Sequence, residues 1–216
     1  MSRVRVKICG ITSQRDLLVA AEAGADAVGF VVDSPQSPRN LSTDKAKRLI
    51  RDTPVFVKTV VVTIPKNLSR LEEIYRELNP DVVQVHGITH MHKEIRGRLP
   101  DTCLIGAIQV RPDLNIDEIL EAAETFDAIL LDTHTPSGYG GTGKIHDWKL
   151  SGRIRDAVYP KPLILAGGLK PENVKEAIRV VKPYAVDVSS GVEMRPGVKD
   201  RKKVFEFVRN AKEVEV

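Results

Sequence analysis

The sequence predicts an α/β protein that folds as a closed (β/α)8 TIM barrel, and three observations support this prediction. Short apolar runs rich in β-branched residues alternate with amphipathic stretches along the chain, as in parallel strands joined by helices. The alternation gives eight strand–helix units, and 216 residues leave about 27 residues for each unit. That length suits a small eight-stranded barrel, and a doubly wound open sheet is the structural alternative.

The first four units are predicted from short apolar runs, each followed by a helical stretch. The predicted strands are Val4–Cys9, Ala27–Val32, Val55–Val62 and Val82–His86. Helices are predicted after Thr12 or Ser13, after Ser42 or Thr43, around Leu68–Leu78 and near His90–Arg98. The hydroxyl residues are favourable N-caps, and Gly24 is a favourable end for the first helix.

The last four units follow the same pattern and complete the predicted ring. The strands are Leu104–Val110, Ala128–Asp132, Leu163–Ala166 and Ala185–Ser189. The helices lie near Ile116–Thr125, Trp148–Val158, Pro171–Val181 and Arg201–Lys212. Because no change of composition and no Pro/Ser-rich linker interrupts the chain, residues 1–216 are predicted to form a single domain.

The composition excludes several classes of protein. Hydrophobic residues make up 42% of the chain and charged residues 29%, which excludes a disordered or collagen-like protein. No uncharged apolar window approaches 18 residues and the first residues contain no long apolar segment, so neither a membrane span nor a secretion signal is expected. Two cysteines, Cys9 and Cys103, exclude a disulfide scaffold and fit the reducing cytoplasm.

The charge distribution argues against a nucleic-acid partner. The net charge is only +4, basic residues are interspersed with acidic ones, and aromatic residues make up 5% of the chain. Aromatic side chains this sparse do not form a platform on which bases could stack. A small-molecule ligand is therefore the expected partner.

Catalytic residues of a (β/α)8 barrel lie at the carboxyl ends of the strands, and two reactive side chains stand there. Asp132 ends the sixth predicted strand behind the apolar run Ile129–Leu131. Partial burial would raise the pKa of this carboxyl and let it act as a general acid, unless it only caps a loop. Cys9 ends the first strand, where a thiol can be a nucleophile, a base or a small buried apolar side chain. Cys103 stands at the opposite end of its strand and is interpreted as structural.

Glycine-rich segments after the late strands predict a phosphate site. Loops after the last two strands commonly bind phosphate in such barrels, and glycines let backbone N–H groups approach an anion. The alternative is that the glycines only form turns. The candidate phosphate-binding residues are Gly141, Gly143, Gly167, Gly168, Ser189, Ser190 and Gly191.

Four further polar residues stand at strand ends, or in the loops after them, without an obvious packing role. The planar guanidinium of Arg39 can bind a carboxylate through two parallel hydrogen bonds, or it is an exposed loop side chain. Asp187 can accept a hydrogen bond from a sugar hydroxyl or an amine, or it caps a loop. Gln84 and His86 end the fourth strand, and all four residues are candidates for binding a substrate.

The histidines do not predict a metal site. His90 and His92 lie on different faces of a predicted helix, and the other three are found in separate loops, at His86, His134 and His146. No Cys or His spacing in the chain matches a set of zinc ligands. Neither a metal nor a cofactor is expected.

The same residues resemble one known family. The segments that carry the resemblance are Val6–Thr12, Gly29–Phe30, Ser37–Arg39, Val55–Lys58, Gln84–Gly87, Leu130–Thr133, Gly140–Lys144, Asp147–Trp148, Leu165–Leu169, Pro171–Val174, Val186–Glu193 and Pro196–Asp200. On these segments the chain resembles the phosphoribosylanthranilate isomerase family of tryptophan biosynthesis over essentially its whole length. The resemblance implies a (β/α)8 barrel and a cofactor-free Amadori rearrangement. In that reaction N-(5-phosphoribosyl)anthranilate becomes 1-(2-carboxyphenylamino)-1-deoxyribulose 5-phosphate.

The resemblance also implies roles for individual residues. Cys9 would be the general base and Asp132 the general acid, Arg39 would hold the anthranilate carboxylate, and the glycine loops would hold the phosphate. The first and sixth strands are roughly opposite in a ring of eight, so acid and base would reach the sugar from two sides. The sequence departs from the family pattern at Thr59–Val62 and at Ile145–His146, which leaves the packing of the sixth loop against the substrate open.

Two other functions are possible from the sequence. The histidine-pathway isomerase performs the same rearrangement on a substrate with two phosphates, but its family has an Asp where Cys9 stands, and the first half of this chain contains no second Gly-Gly cluster. A non-catalytic phosphate-binding barrel would need neither the thiol of Cys9 nor the carboxyl of Asp132. The sequence leaves both a monomer and a homodimer open.

Overall fold

The strands close into a barrel in the computed structural model, which describes residues 3–87, 92–111, 114–133 and 146–215. Within these residues eight parallel strands follow one another around the ring in chain order. They are β1 (Arg5–Ile8), β2 (Ala27–Val32), β3 (Lys58–Thr63), β4 (Val82–Val85), β5 (Cys103–Val110), β6 (Ala128–Thr133), β7 (Leu163–Leu165) and β8 (Ala185–Val188). Strand β1 pairs with both β2 and β8, which closes the ring and confirms the predicted fold class.

A helix follows each strand. The helices are α1 (Gln14–Glu22), α2 (Thr43–Arg51), α3 (Leu68–Leu78), α4 (His92–Arg98), α5 (Ile116–Thr125), α6 (Trp148–Val158), α7 (Val174–Val181) and α8 (Arg201–Lys212). The hydroxyls of Ser13 and Ser42 accept hydrogen bonds from backbone N–H groups in the first turns of α1 and α2, so these serines are the N-caps. None of the described helices combines the length and the apolar character that crossing a membrane requires.

Side chains alternate along each strand between the barrel interior and the layer under the helices. Val6 and Ile8 face outward into the main apolar core, where they join Leu17 of α1. Lys7 and Cys9 stand on the opposite face of the same segment, so both project into the barrel interior. This first segment therefore packs against the helices with its apolar face and presents a lysine and a thiol to the barrel interior with the other.

One predicted strand begins later than expected. The strand predicted over Val55–Val62 begins at Lys58, and the side chains of Val55 and Phe56 are 87% and 95% exposed. Residues 54–57 form a turn that is closed by a 2.9 Å backbone hydrogen bond from its fourth residue to its first. The two apolar residues therefore form the tip of a turn, although their composition is typical of a strand.

Helix α7 begins at Val174, three residues after the predicted start at Pro171. The side chain of Asn173 accepts a hydrogen bond from the N–H of Lys170 and donates one to the carbonyl of Gly168. These bonds hold the preceding residues in a turn, because the asparagine amide competes with the helical hydrogen-bond pattern.

Short strands that the sequence did not predict lie beyond the ends of β2 and β8. Asn40–Leu41 pairs with the end of β2, and Glu193–Arg195 pairs with Val198–Lys199 in a hairpin after β8. Strands of two or three residues show no periodicity in a sequence. They matter for the site, because they position side chains that contact one another above the barrel.

Candidate active site

A cavity of about 480 Å³ opens at the carboxyl end of the barrel. This volume is in the range that small-molecule ligands occupy. The cavity is lined by most of the residues that the sequence singled out: Cys9, Arg39, Gln84, His86, Asp132, Gly167, Gly168, Asp187, Ser189, Ser190 and Gly191. The other two candidates, Gly141 and Gly143, lie outside the described residues, as does His134.

Cys9 reaches the cavity from the end of β1 and is only 8% exposed. Its sulfur lies against Gly29 of β2, where an added Cβ would stand 2.8 Å from Sγ. Burial raises the pKa of the thiol above its ordinary value, and the neighbouring Lys7 ammonium opposes that rise. The thiol is therefore the resting form, and a thiolate formed here would be a strong base.

Asp132 reaches the same cavity from β6. Burial raises the pKa of its carboxyl to about 6, although a hydrogen bond from the backbone N–H of Thr133 opposes the change. That bond is 2.8 Å long and ends on Oδ1. A carboxyl with this pKa holds a proton for a larger share of the time near neutral pH than an exposed aspartate does, as a general acid requires.

The loops after β7 and β8 offer backbone N–H groups to the cavity. Gly167 and Gly168 have φ angles of +84° and +67°, and a Cβ on Gly167 would overlap the hydroxyl of Thr133, so only glycine fits there. Within the described chain, the N–H groups of Gly167, Gly168 and Gly191 donate to no acceptor. The Ser189 hydroxyl is also buried without a described partner. Unpaired donors of this kind can bind an anion.

Gln84 and His86 project into the cavity from β4. The amide Nε2 of Gln84 lies 2.8 Å from Nε2 of His86. Burial and the Lys7 ammonium lower the pKa of His86 to about 4, so its ring is neutral at neutral pH. The amide oxygen of Gln84 is buried and has no hydrogen-bond partner among the described residues.

Comparison with known proteins assigns the family. The sequence model described as N-(5'phosphoribosyl)anthranilate (PRA) isomerase matches residues 6–210. The chain belongs to the phosphoribosylanthranilate isomerase family. The N-(5'-phosphoribosyl)anthranilate isomerase of Methanothrix thermoacetophila is 44% identical over 96% of this chain and 98% of that relative.

Solved structures of phosphoribosylanthranilate isomerases have the same fold. The crystal structure of the Thermotoga maritima enzyme matches with a TM-score of 0.87 and 42% identity, over 98% of this chain and all of that one. Another crystal structure holds reduced 1-(o-carboxyphenylamino)-1-deoxyribulose 5-phosphate. It matches with a TM-score of 0.84 and 39% identity over 98% of this chain and 100% of that chain.

A buried ion pair in this chain was not predicted from its sequence. Nζ of Lys7 lies 3.0 Å from Oδ1 of Asp187, and both side chains are less than a tenth exposed. The pair joins β1 to β8, which run in register at these two residues. A lysine within the apolar segment Val4–Cys9 was the available signal, because a buried lysine requires a partner.

Arg39 is held by a second buried group that the sequence did not reveal. Its Nε and Nη2 donate to the two carboxylate oxygens of Glu193 at 2.8 and 2.6 Å. Nζ of Lys199 lies 2.9 Å from Oε1 of the same carboxylate and 3.1 Å from the carbonyl of Ser189. The guanidinium is thus fixed in orientation, and within the described chain its Nη1 has no partner.

Behind Asp132, a histidine joins β6 to α6. Nδ1 of His146 lies 2.9 Å from the hydroxyl of Thr133, and its Nε2 lies 2.7 Å from the hydroxyl of Ser151. Burial lowers the pKa of His146 to about 4, so the ring is neutral.

Among the described residues, no three His, Cys, Asp or Glu side chains are grouped as metal ligands.

Proposed function

We propose that the chain catalyses the Amadori rearrangement of N-(5'-phosphoribosyl)anthranilate, with Cys9 as general base and Asp132 as general acid. The reaction follows from membership of the phosphoribosylanthranilate isomerase family. The observation that supports the two roles is that the Cys9 thiol and the Asp132 carboxyl line one cavity. Unpaired N–H donors of the late loops lie in the same cavity, as a phosphorylated substrate requires.

The proposed reaction moves two protons. Asp132 donates a proton to the ring oxygen of the aminofuranose, which breaks the bond between that oxygen and C1 and leaves a protonated imine. The positive imine acidifies the hydrogen on C2, and the Cys9 thiolate removes it as a proton. The resulting enolamine tautomerises to the ketone. The atoms of substrate and product balance, so no cofactor is required.

The remaining cavity residues are proposed to position the substrate. Gly167, Gly168, Ser189, Ser190 and Gly191 would bind the phosphate, together with Gly141 and Gly143. The unpaired Nη1 of Arg39 would bind the anthranilate carboxylate. Gln84, His86 and Asp187 would contact the sugar hydroxyls or the amine. The related isomerase that was crystallised with a ribulose 5-phosphate derivative supports a ligand of this class.

The test of the proposed reaction is a fluorescence assay that follows the loss of phosphoribosylanthranilate. We expect turnover with this substrate and much less with the two-phosphate substrate of the histidine-pathway isomerase. The reverse preference would make this chain a histidine-pathway enzyme, and tight phosphate binding without turnover of either substrate would make it a binding protein. Four expectations from the sequence stay predictions. They are a cytoplasmic location, a single domain, the absence of a nucleic-acid partner, and a monomeric or homodimeric state.

The pH dependence of kcat/KM should form a plateau with an acid limb near pH 6. The active enzyme carries a proton on Asp132 and none on Cys9. The pKa of Asp132 is about 6 and that of Cys9 is raised above its ordinary value. Only one proton is bound between these two values, so the fraction with the proton on Asp132 is small but constant there. Below about pH 6 the second proton binds and the thiolate fraction falls, so the rate falls about tenfold per unit.

The Asp132→Asn variant shows which group causes the acid limb. We expect the bend near pH 6 and the plateau above it to disappear, so that the residual activity rises about tenfold per unit of pH until the Cys9 thiol ionises. A bend near pH 6 followed by a plateau that persists in Asp132→Asn would assign this pKa to the substrate phosphate, whose second pKa is also about 6, and would contradict the assignment to Asp132.

The Glu193→Gln variant should raise KM about tenfold and leave kcat much less affected. The neutral amide cannot hold both the guanidinium of Arg39 and the ammonium of Lys199, and hydrogen bonds to charged groups contribute about 1.5–3 kcal/mol. Arg39 would then bind the substrate carboxylate from a less ordered position, away from the reacting atoms. Steady-state kinetics would measure the change. Glu213→Gln, which removes an exposed carboxylate 2.6 Å from Lys175, is the matched control. An equal KM in the two variants would contradict the role of Glu193.

A further inference from the structure

Cys9 lies beside a buried cluster of charged side chains that, within the described chain, contains three cations and three carboxylates. The cations are Lys7, Arg39 and Lys199, and the carboxylates are Asp187, Glu193 and Asp16, whose Oδ2 accepts a hydrogen bond from the N–H of Lys199. Cys9 and Asp132 both stand near Lys7, and a negative charge on either group is attracted by that ammonium.

Lys7 is the cation of this cluster that stands nearest to Cys9 along the chain. It is two residues before Cys9 on the inner face of β1, and Gly29 packs against both side chains. A Cβ on Gly29 would be 2.8 Å from Sγ of Cys9 and 3.2 Å from Cε of Lys7. The ammonium is 3.0 Å from Asp187, so its position beneath the thiol is fixed from the adjacent strand.

We infer that Lys7 is a positioning residue for the rearrangement: its ammonium, held by Asp187, compensates the negative charge on Cys9 when the proton resides on Asp132. This inference rests on the proposed function, in which the thiolate removes the C2 proton. Burial alone would lower the pKa of Lys7, but Asp187 and then Cys9 raise it above its ordinary value, so the lysine stays charged. A charge this close changes the ionisation of a buried neighbour strongly.

Stability alone does not account for a charged pair at this position. A buried ion pair usually stabilises a fold no better than apolar side chains of the same size, because desolvation offsets the attraction. Cys9 itself packs in an apolar cluster on the barrel interior with Val31, Val60 and Val62. A pair of apolar side chains would therefore fill the same space, and the charge itself is what the thiol requires.

The test is the ionisation of Cys9 in the free enzyme, measured by the rate of its alkylation with iodoacetamide against pH. Cys103→Ser provides the background, because Cys103 is exposed and free. We expect Lys7→Met to lower the thiolate fraction at fixed pH by about tenfold or more, and Asp187→Asn to raise it, since their charges act on the thiol in opposite directions. Two variants that only loosened the fold would change the rate in the same direction.

Lys58→Met is the matched control, since it removes an exposed lysine that pairs with Asp81 at 2.7 Å. If Lys7→Met does not fold, the double variant Lys7→Met/Asp187→Asn removes both charges together and should still lower the thiolate fraction, because Lys7 acts on the thiol more strongly than Asp187. A thiolate fraction equal to that of Lys58→Met would overturn the inference. No substrate enters this measurement, so its outcome is independent of whether Cys9→Ala abolishes turnover.

Discussion

Replacing Cys9 by alanine is expected to lower kcat by about 10²–10⁴-fold, the range in which a general base contributes to a rate. The thiol is the group at the end of β1 that lines the cavity and, once ionised, can remove a proton from carbon. Alanine leaves Gly29 and Lys7 in place and removes only the sulfur. The change would be measured as turnover of phosphoribosylanthranilate under saturating substrate, with KM determined in parallel.

The control for this variant is Cys103→Ala. Cys103 is the other cysteine of the chain, and it is exposed at the amino-terminal start of β5. We expect wild-type kcat from Cys103→Ala and an unchanged melting temperature for both variants within a few degrees. Near-normal turnover by Cys9→Ala would remove Cys9 from the mechanism.

Replacing Asp132 by asparagine is expected to lower kcat by a similar factor of about 10²–10⁴, because the ring oxygen of the substrate then leaves without a proton. Asparagine has almost the same shape and can still accept the hydrogen bond from the N–H of Thr133. The loss should therefore appear in kcat with the fold intact. Turnover of phosphoribosylanthranilate and the far-ultraviolet circular dichroism spectrum would measure the two properties.

Asp127→Asn is the matched control for Asp132→Asn. Asp127 immediately precedes β6 at the opposite end of the barrel, where its carboxylate accepts hydrogen bonds from Arg96 and from the N–H of Leu104. This variant should lose some stability and keep its turnover. If both asparagine variants reduce kcat equally, the carboxyl of Asp132 acts through the structure and donates no proton.

The elements predicted most accurately from the sequence are those with a strong local pattern of apolar residues. Helices Ile116–Thr125, Trp148–Val158 and Arg201–Lys212 begin and end at the predicted residues, because an apolar face at helical spacing is a local property. The predicted start of β3 at Val55 was wrong, because an apolar residue in a turn looks the same in the sequence as one in a strand. The two-residue strand Asn40–Leu41 is determined by pairing with β2, which leaves no local signal.

The residues of the candidate site also differ in how well the sequence predicts them. Cys9 and Asp132 could be proposed because each ends an apolar strand, where a reactive side chain is conspicuous. Glu193 and Lys199 could not, because their partner Arg39 lies more than 150 residues earlier in the chain. Long-range pairing of this kind depends on how the strands close into a ring, and no spacing in the sequence records it.

The Lys7–Asp187 pair also determines when the site can first exist during synthesis. A ribosome releases the amino-terminal part of a chain first, so Lys7 and Cys9 emerge long before the strand that carries Asp187. Until that last strand inserts between β7 and β1, the lysine lacks its carboxylate and the ring has an open edge. Nascent chains that end before residue 185 would therefore contain both proposed proton-transfer groups and still be inactive.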